Sequence, residues 1–141
     1  MPVLCDFIQI VGDAPVTIGD SLPVWEANFD TGGRKSGSDI FSTALLIFNV
    51  RGLTHTNLDV NVKINNVVVG KIYRYGGLNE AERNDTANYW YTQMIAMTGS
   101  QLKDGVNEIQ IEAVGFPGAT PTNKFDDFQL KNVVCFFHQS A

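Results

Sequence analysis

The chain has 141 residues, 44% of them apolar, with 10 basic and 15 acidic side chains and a net charge of −5. That length fits one domain, with no composition shift to mark a second, and the apolar content suffices for a sizeable core. The acidic balance, without any Lys/Arg cluster, excludes a nucleic-acid partner, and no apolar run approaches the roughly 20 residues that span a bilayer.

Met1-Pro2-Val3-Leu4-Cys5-Asp6 lacks the charged and apolar regions of an export signal. The expectation is a cytoplasmic or non-classically exported protein, or one whose signal was removed before residue 1. Cys5 and Cys135 lie at opposite ends of the sequence. A bridge between them would stabilise by about 4–5 kcal/mol in the loop-entropy description. Two cysteines make no disulfide framework, however, and burial of both as small hydrophobes is the favoured expectation.

Val, Ile and Thr number 34 against 18 for Leu and Ala, a balance that favours strands. Phe7–Val11 reads as a first strand, stopped by Gly12-Asp13-Ala14-Pro15. Val16–Ile18 and Val24–Phe29 follow as short strands either side of Gly19–Pro23. Asp30–Asp39 carries no apolar residue and three glycines, which predicts an exposed, mobile loop. Thr43–Val50 is the most apolar run and reads as a central strand covered on both faces. Leu58–Ile64 and Val67–Tyr75 flank Asn65-Asn66, two residues that tolerate positive φ and so predict a tight hairpin.

Asn79–Asn88 is a polar interruption with too little apolar content for an amphipathic helix. Tyr89–Met97 resumes the strand pattern. Asn107–Val114 alternates polar and apolar, predicting one wet and one dry face. Gly115–Lys124, with Pro117, Gly118 and Pro121, reads as a surface loop, and Phe125–Phe137 supplies a closing strand or pair of strands. About eight or nine strands without internal repeat predict an all-β antiparallel sandwich, most plausibly a jelly roll.

Three segments together resemble the galactose-binding-like jelly roll shared by many carbohydrate-binding modules. They are the hairpin Val62–Gly70, the element Leu102-Lys103-Asp104-Gly105-Val106-Asn107-Glu108-Ile109-Gln110-Ile111, and the closing run Phe125–Val134. In the middle element Gly105 suits a left-handed turn, Asn107 can bond the turn backbone, and Ile109 and Ile111 share a face. The resemblance implies carbohydrate binding. Its sugar-binding members often place acidic calcium ligands near the N-terminal strands, but Glu26 has no acidic neighbour in such a pattern. No metal and no cofactor are expected.

Tyr73, Tyr75, Tyr89 and Tyr91 offer apolar ring faces with a polar edge, as stacking on a sugar requires. Period-2 geometry puts Trp90 opposite Tyr89 and Tyr91, with Trp90 expected in the core and the tyrosines outward. Outward tyrosines that merely pair across strands are an equal alternative. Arg74 faces away from Tyr73 and Tyr75, as a ligand contact or a solvated charge. Asp126 and Asp127 read as turn chemistry before the last strand rather than as cation ligands. His55 and His138 are far apart, and no serine sits in a nucleophile motif. Glu80 and Glu82 lie in a polar segment that offers no means of raising a pKa, Gly32-Gly33-Arg34-Lys35 lacks phosphate-loop spacing, and Asn84-Asp85-Thr86 fits a glycosylation triplet.

The sequence therefore points to a non-catalytic, lectin-like carbohydrate-binding domain. The alternative is a structural jelly-roll subunit that self-assembles through its sheet edges. Carbohydrate and further copies of the chain are the partner classes left open.

Overall fold

The computed structural model describes residues 3–32, 43–74 and 89–140. Nine strands follow in chain order: β1 Val3–Val11, β2 Val16–Ile18, β3 Val24–Asp30, β4 Thr43–Arg51, β5 Val60–Ile64, β6 Val67–Ile72, β7 Tyr91–Thr98, β8 Val106–Glu112 and β9 Phe128–Ser140. One 3-10 turn, Gly99–Gln101, interrupts them. No helix among the described residues is long and apolar enough to cross a membrane. The strands form two antiparallel sheets, one ordered β1-β9-β4-β7 with β2 also paired to β9, the other ordered β3-β8-β5-β6. This is the expected β-sandwich of jelly-roll type. The segment Asn79–Asn88, most of the loop Asp30–Asp39, and Tyr75 fall outside the described residues.

The core lies between facing rows of side chains set by the strand register. Ile8, Cys135, Leu46 and Ile95 align across β1, β9, β4 and β7. Trp25, Ile111, Val62 and Gly70 align across β3, β8, β5 and β6. Leu46 and Cys135 are fully buried, and Val62 and Ile111 nearly so. Gly70 ends its row because Ile95 occupies the space a side chain would need: a Cβ there would stand 2.6 Å from Ile95 Cγ2.

The Asn65-Asn66 hairpin forms as expected, with φ of 50° and 67° at its two residues. Gly105 adopts φ 87°. Asn107, buried, holds the turn before β8: its Oδ1 accepts from Lys103 N at 2.7 Å, and its Nδ2 donates to Lys103 O at 3.0 Å and Gly105 O at 3.1 Å. Strand β8 has the predicted dry face of Ile109 and Ile111, which Asn107 joins through this network.

The closing run is a single strand of 13 residues rather than a pair. Phe128 and Leu130 face the core, and so do Val133, Cys135 and Phe137. The inward parity changes at a bulge where Asn132 takes φ 51° and its N–H bonds Gly12 O at 2.8 Å.

Two expectations need correction. Strand β4 runs inside its sheet, but its outward Leu45 and Ile47 are only half-buried, so no second layer covers that face among the described residues. The cysteines are both free; Cys135 is buried, and burial pushes its thiol up to about 12, whereas Cys5 is exposed. The two sit on different cross-strand pairs, Cys5 opposite His138 and Cys135 opposite Ile8.

Overpacking of a filled interior costs about 1–3 kcal/mol, so Gly70→Ala should lower unfolding free energy by about that much. Combining it with Ile95→Ala should cost less than the sum of the single changes, as a double-mutant cycle in denaturant will show.

Candidate functional site

One end of the sandwich gathers the ends of β4 and β6, the starts of β3, β5, β7 and β9, strand β2, and the loops around residues 19–23, 52–59 and 113–127. Carboxylates organise these loops by accepting backbone N–H groups. Asp126 is buried, and its Oδ2 accepts from His55 N at 2.8 Å and Thr56 N at 2.7 Å. Asp127 Oδ1 accepts from Asp20 N at 2.8 Å, and Asp20 Oδ1 accepts from Lys124 N at 2.8 Å. Thr56 Oγ1 donates to Gly115 O at 2.7 Å. The paired aspartates thus perform turn chemistry, as expected of them. Gly52, at φ 91°, lets the chain pass beside Asp127, whose carbonyl oxygen lies 3.0 Å from where a Cβ would be.

Burial raises the Asp126 carboxyl above the ordinary carboxylate range, and the amides of His55 and Thr56 oppose that shift without cancelling it. The contribution of this group to stability is therefore complete below the pKa of an unfolded aspartate and is lost as pH rises through the higher folded value.

Between these loops lies a cavity of about 510 Å³. Its apolar lining includes Phe116, Phe125, Phe128 and the His55 ring, which stands 6.1 Å from the Phe116 ring. Its polar lining includes Arg51, Asn123, Asp127, Gln129 and Thr17. Arg51 is held on two sides. Its Nε donates to Gln129 Oε1 at 2.6 Å, and its guanidinium carbon lies 4.6 Å from the Trp90 ring centroid. Lys131 Nζ lies 4.5 Å from the same ring, and Gln129 Nε2 donates to Thr17 Oγ1 at 3.1 Å. A chain of contacts from Trp90 to Thr17 thereby fixes one wall.

Trp90 is therefore not in the core, contrary to expectation. It precedes β7 and lies half-buried beside Arg51 and Lys131. Tyr91 takes the inward phase of Ile95 and Met97 and packs against the core. Its hydroxyl donates to Tyr73 O at 3.0 Å, while the Gln93 side-chain amide takes both the N–H and the C=O of Tyr73. Tyr73 and Tyr89 are 67% and 59% exposed, and Arg74 is exposed. These residues share the pocket's end of the sandwich but lie on its β6–β7 side, and none of the described tyrosines lines the cavity.

Sequence reasoning passed over Phe116, Phe125, Arg51 and Asn123. A phenylalanine inside Gly115-Phe116-Pro117-Gly118 was the available signal, since a large apolar residue in a turn-rich loop has to find a partner or a pocket.

Thr54, His55 and Asp126 have the residue types of a hydrolytic triad but not its geometry. Thr54 Oγ1 lies 2.9 Å from His55 Nδ1, yet Asp126 holds the backbone of His55, and Thr54 is buried. Among the described residues no three His, Cys, Asp or Glu side chains assemble a metal site.

The strands form a jelly-roll sandwich, and this pocket lies on its rim. No family profile matches the chain, and no curated protein matches it. Among solved structures it resembles a family 35 carbohydrate-binding module from Clostridium thermocellum, with TM-score 0.52 and 11% identity over 94% of this chain and 98% of that one. It also resembles part of a β-porphyranase of glycoside hydrolase family 86 from Bacteroides plebeius, with TM-score 0.57 and 16% identity over 97% of this chain and 21% of the enzyme. A third likeness, to dimeric latent PorU from Porphyromonas gingivalis, has TM-score 0.64 and 6% identity and covers 99% of this chain and 13% of that one. The chain thus spans about a fifth of the porphyranase and nearly the whole of the binding module.

Losing the Asp126 carboxylate leaves two amide donors unpaired, which costs about 1–3 kcal/mol. Asp126→Ala should show that loss in chemical denaturation at neutral pH. Asp126→Asn, which keeps an acceptor oxygen, should lose less, and it should remove the fall in stability that wild type shows as pH rises through the folded pKa of this group.

Proposed function

We propose that the protein is a non-catalytic, lectin-like carbohydrate-binding domain whose ligand enters the rim pocket. The observation that carries this reading is the convergence of Phe116 and Phe125 with Arg51, Asn123 and Asp127 around a cavity of about 510 Å³, within the size range of small-ligand sites. A pyranose has one apolar C–H face and a circumference of hydroxyls. The first suits the phenyl rings, and the second suits groups that donate and accept in fixed directions. Arg51 reaches the cavity already oriented by Gln129 and Trp90, which lowers the ordering cost of binding.

Likeness of fold to the family 35 module supports the same class. The partial match to the porphyranase supports a role as an accessory unit rather than a catalytic one. Tyr73, Tyr89 and Arg74 would serve a longer chain leaving the pocket toward β6 and β7, with Tyr91 as their support.

Titration calorimetry against a panel of neutral and acidic oligosaccharides tests the reading. Phe116→Ala and Asn123→Ala should each weaken binding of a positive ligand about ten-fold or more, equivalent to about 1.4 kcal/mol. Tyr73→Ala should weaken long ligands more than short ones, and the oligosaccharide should be recovered intact. No binding across the panel, or affinities indifferent to Phe116 and Asn123, would overturn the assignment.

A further inference from the structure

Hydrogen bonds along the sheet side of the rim pocket run in one direction. Register sets Arg51 of β4 opposite Gln129 of β9, and Gln129 opposite Thr17 of β2. An arginine side chain donates and never accepts, so Gln129 has to turn its Oε1 to Arg51 Nε, at 2.6 Å. Its Nε2 is then left to donate to Thr17 Oγ1, at 3.1 Å. With that oxygen accepting, the Thr17 hydroxyl hydrogen is directed elsewhere. The hydrogens that this chain of bonds does not use, on the terminal nitrogens of Arg51 and on Thr17 Oγ1, belong to residues that line the pocket.

Charge points the same way. Arg51 makes no ion pair among the described residues, and Nε alone of its nitrogens is hydrogen-bonded among them. The carboxylates at the pocket are engaged with backbone: Asp126 Oδ2 accepts the amides of His55 and Thr56, and Asp127 Oδ1 accepts that of Asp20. The guanidinium is held instead by the neutral Trp90 ring, whose centroid is 4.6 Å from its carbon. Lys131 Nζ lies 4.5 Å from the same centroid, but Lys131 also has a carboxylate partner in Asp13, at 3.7 Å. With 15 acidic side chains against 10 basic ones, the chain has ample means to neutralise a cation, yet this one in the pocket wall is not neutralised.

We propose that Arg51 makes the rim pocket selective for acidic glycans, by taking a carboxylate or sulfate ester of the ligand on its terminal nitrogens. The inference rests on the reading of that pocket as a glycan site and adds the class of glycan. Because Gln129 occupies Nε, the fork that remains is the end-on pair of Nη groups, which matches two oxygens of a single anionic group. Such a group only accepts, so it meets the donors that the Arg51–Gln129–Thr17 chain leaves over. Trp90 then acts as backing for the guanidinium rather than as a platform for the sugar, since two cations already lie against its ring. Lys131 adds positive potential beside the pocket without lining it.

Titration calorimetry on the full chain should compare oligosaccharides of one backbone in neutral, uronate-bearing and sulfate-bearing forms. Wild type should bind an acidic form about ten-fold or more tightly than the neutral one, and that preference should shrink as salt rises. Arg51→Gln should abolish the preference. Arg51→Lys, which keeps the charge and loses the fork, should retain only part of it, and Glu26→Gln on the opposite sheet should leave it as in wild type. The salt series is read on wild type, and circular dichroism will confirm that the variants keep the strand spectrum. A preference confined to the uronate identifies the anionic group as a carboxylate, and one confined to the sulfated form identifies it as a sulfate ester. Equal affinity for neutral and acidic forms, or a preference that survives Arg51→Gln, overturns this inference and leaves the glycan-binding reading standing. Failure of every oligosaccharide to bind overturns both.

Discussion

Strand β9 pairs with β1, β2 and β4, so the five-stranded sheet depends on which of its side chains face inward. A regular strand of 13 residues would keep one parity from end to end, and either Phe128 and Leu130 or Val133, Cys135 and Phe137 would then point to solvent. The bulge at Asn132 removes the conflict by inserting one residue in the left-handed conformation, which asparagine tolerates better than most. Both halves of β9 therefore reach the core, and the strand bends where Asn132 meets Gly12. Its N-terminal half supplies Phe128 and Gln129 to the rim pocket, while its C-terminal half supplies Val134 and Phe136 to the outer face.

The pocket end is organised by electrostatics of short range. Asp20, Asp126 and Asp127 accept amide donors from segments about 70 to 107 residues away in sequence. The loops need such partners because their own N–H groups have no ladder to join. Asp126 makes its bonds from a buried position that disfavours its charge, so the same carboxylate that orders the rim also makes the rim sensitive to pH. Phe116, Phe125, Arg51 and Asn123 are then free to face the cavity.

Much of the fold was legible because it is written in local rules. Asn65-Asn66 announced a hairpin, Gly105 and Asn107 announced the turn before β8, and alternation at Ile109 and Ile111 announced the dry face. The closing run was ambiguous for a physical reason: the bulge puts apolar residues at both parities, which erases the period-2 signal between Leu130 and Val133. Trp90 was misplaced because alternation was extended beyond the strand. Ile95 and Met97 already carried the inward phase, and Tyr91 shares it. The pocket was not legible, since Thr17, Arg51, His55, Phe116 and Gln129 come from separate segments joined through tertiary hydrogen bonds that no spacing reveals.

The two indoles report on different parts of the molecule. Trp25 is 8% exposed within the hydrophobic interior, whereas Trp90 is half-buried beside two cations, of which Arg51 lines the pocket. Excitation at the red edge of their absorption therefore interrogates two unlike dielectric surroundings in one polypeptide. Emission from the first registers loss of tertiary packing, and emission from the second registers any rearrangement of Arg51, so the core and the cation cluster beside the pocket carry separable optical signatures without an attached dye.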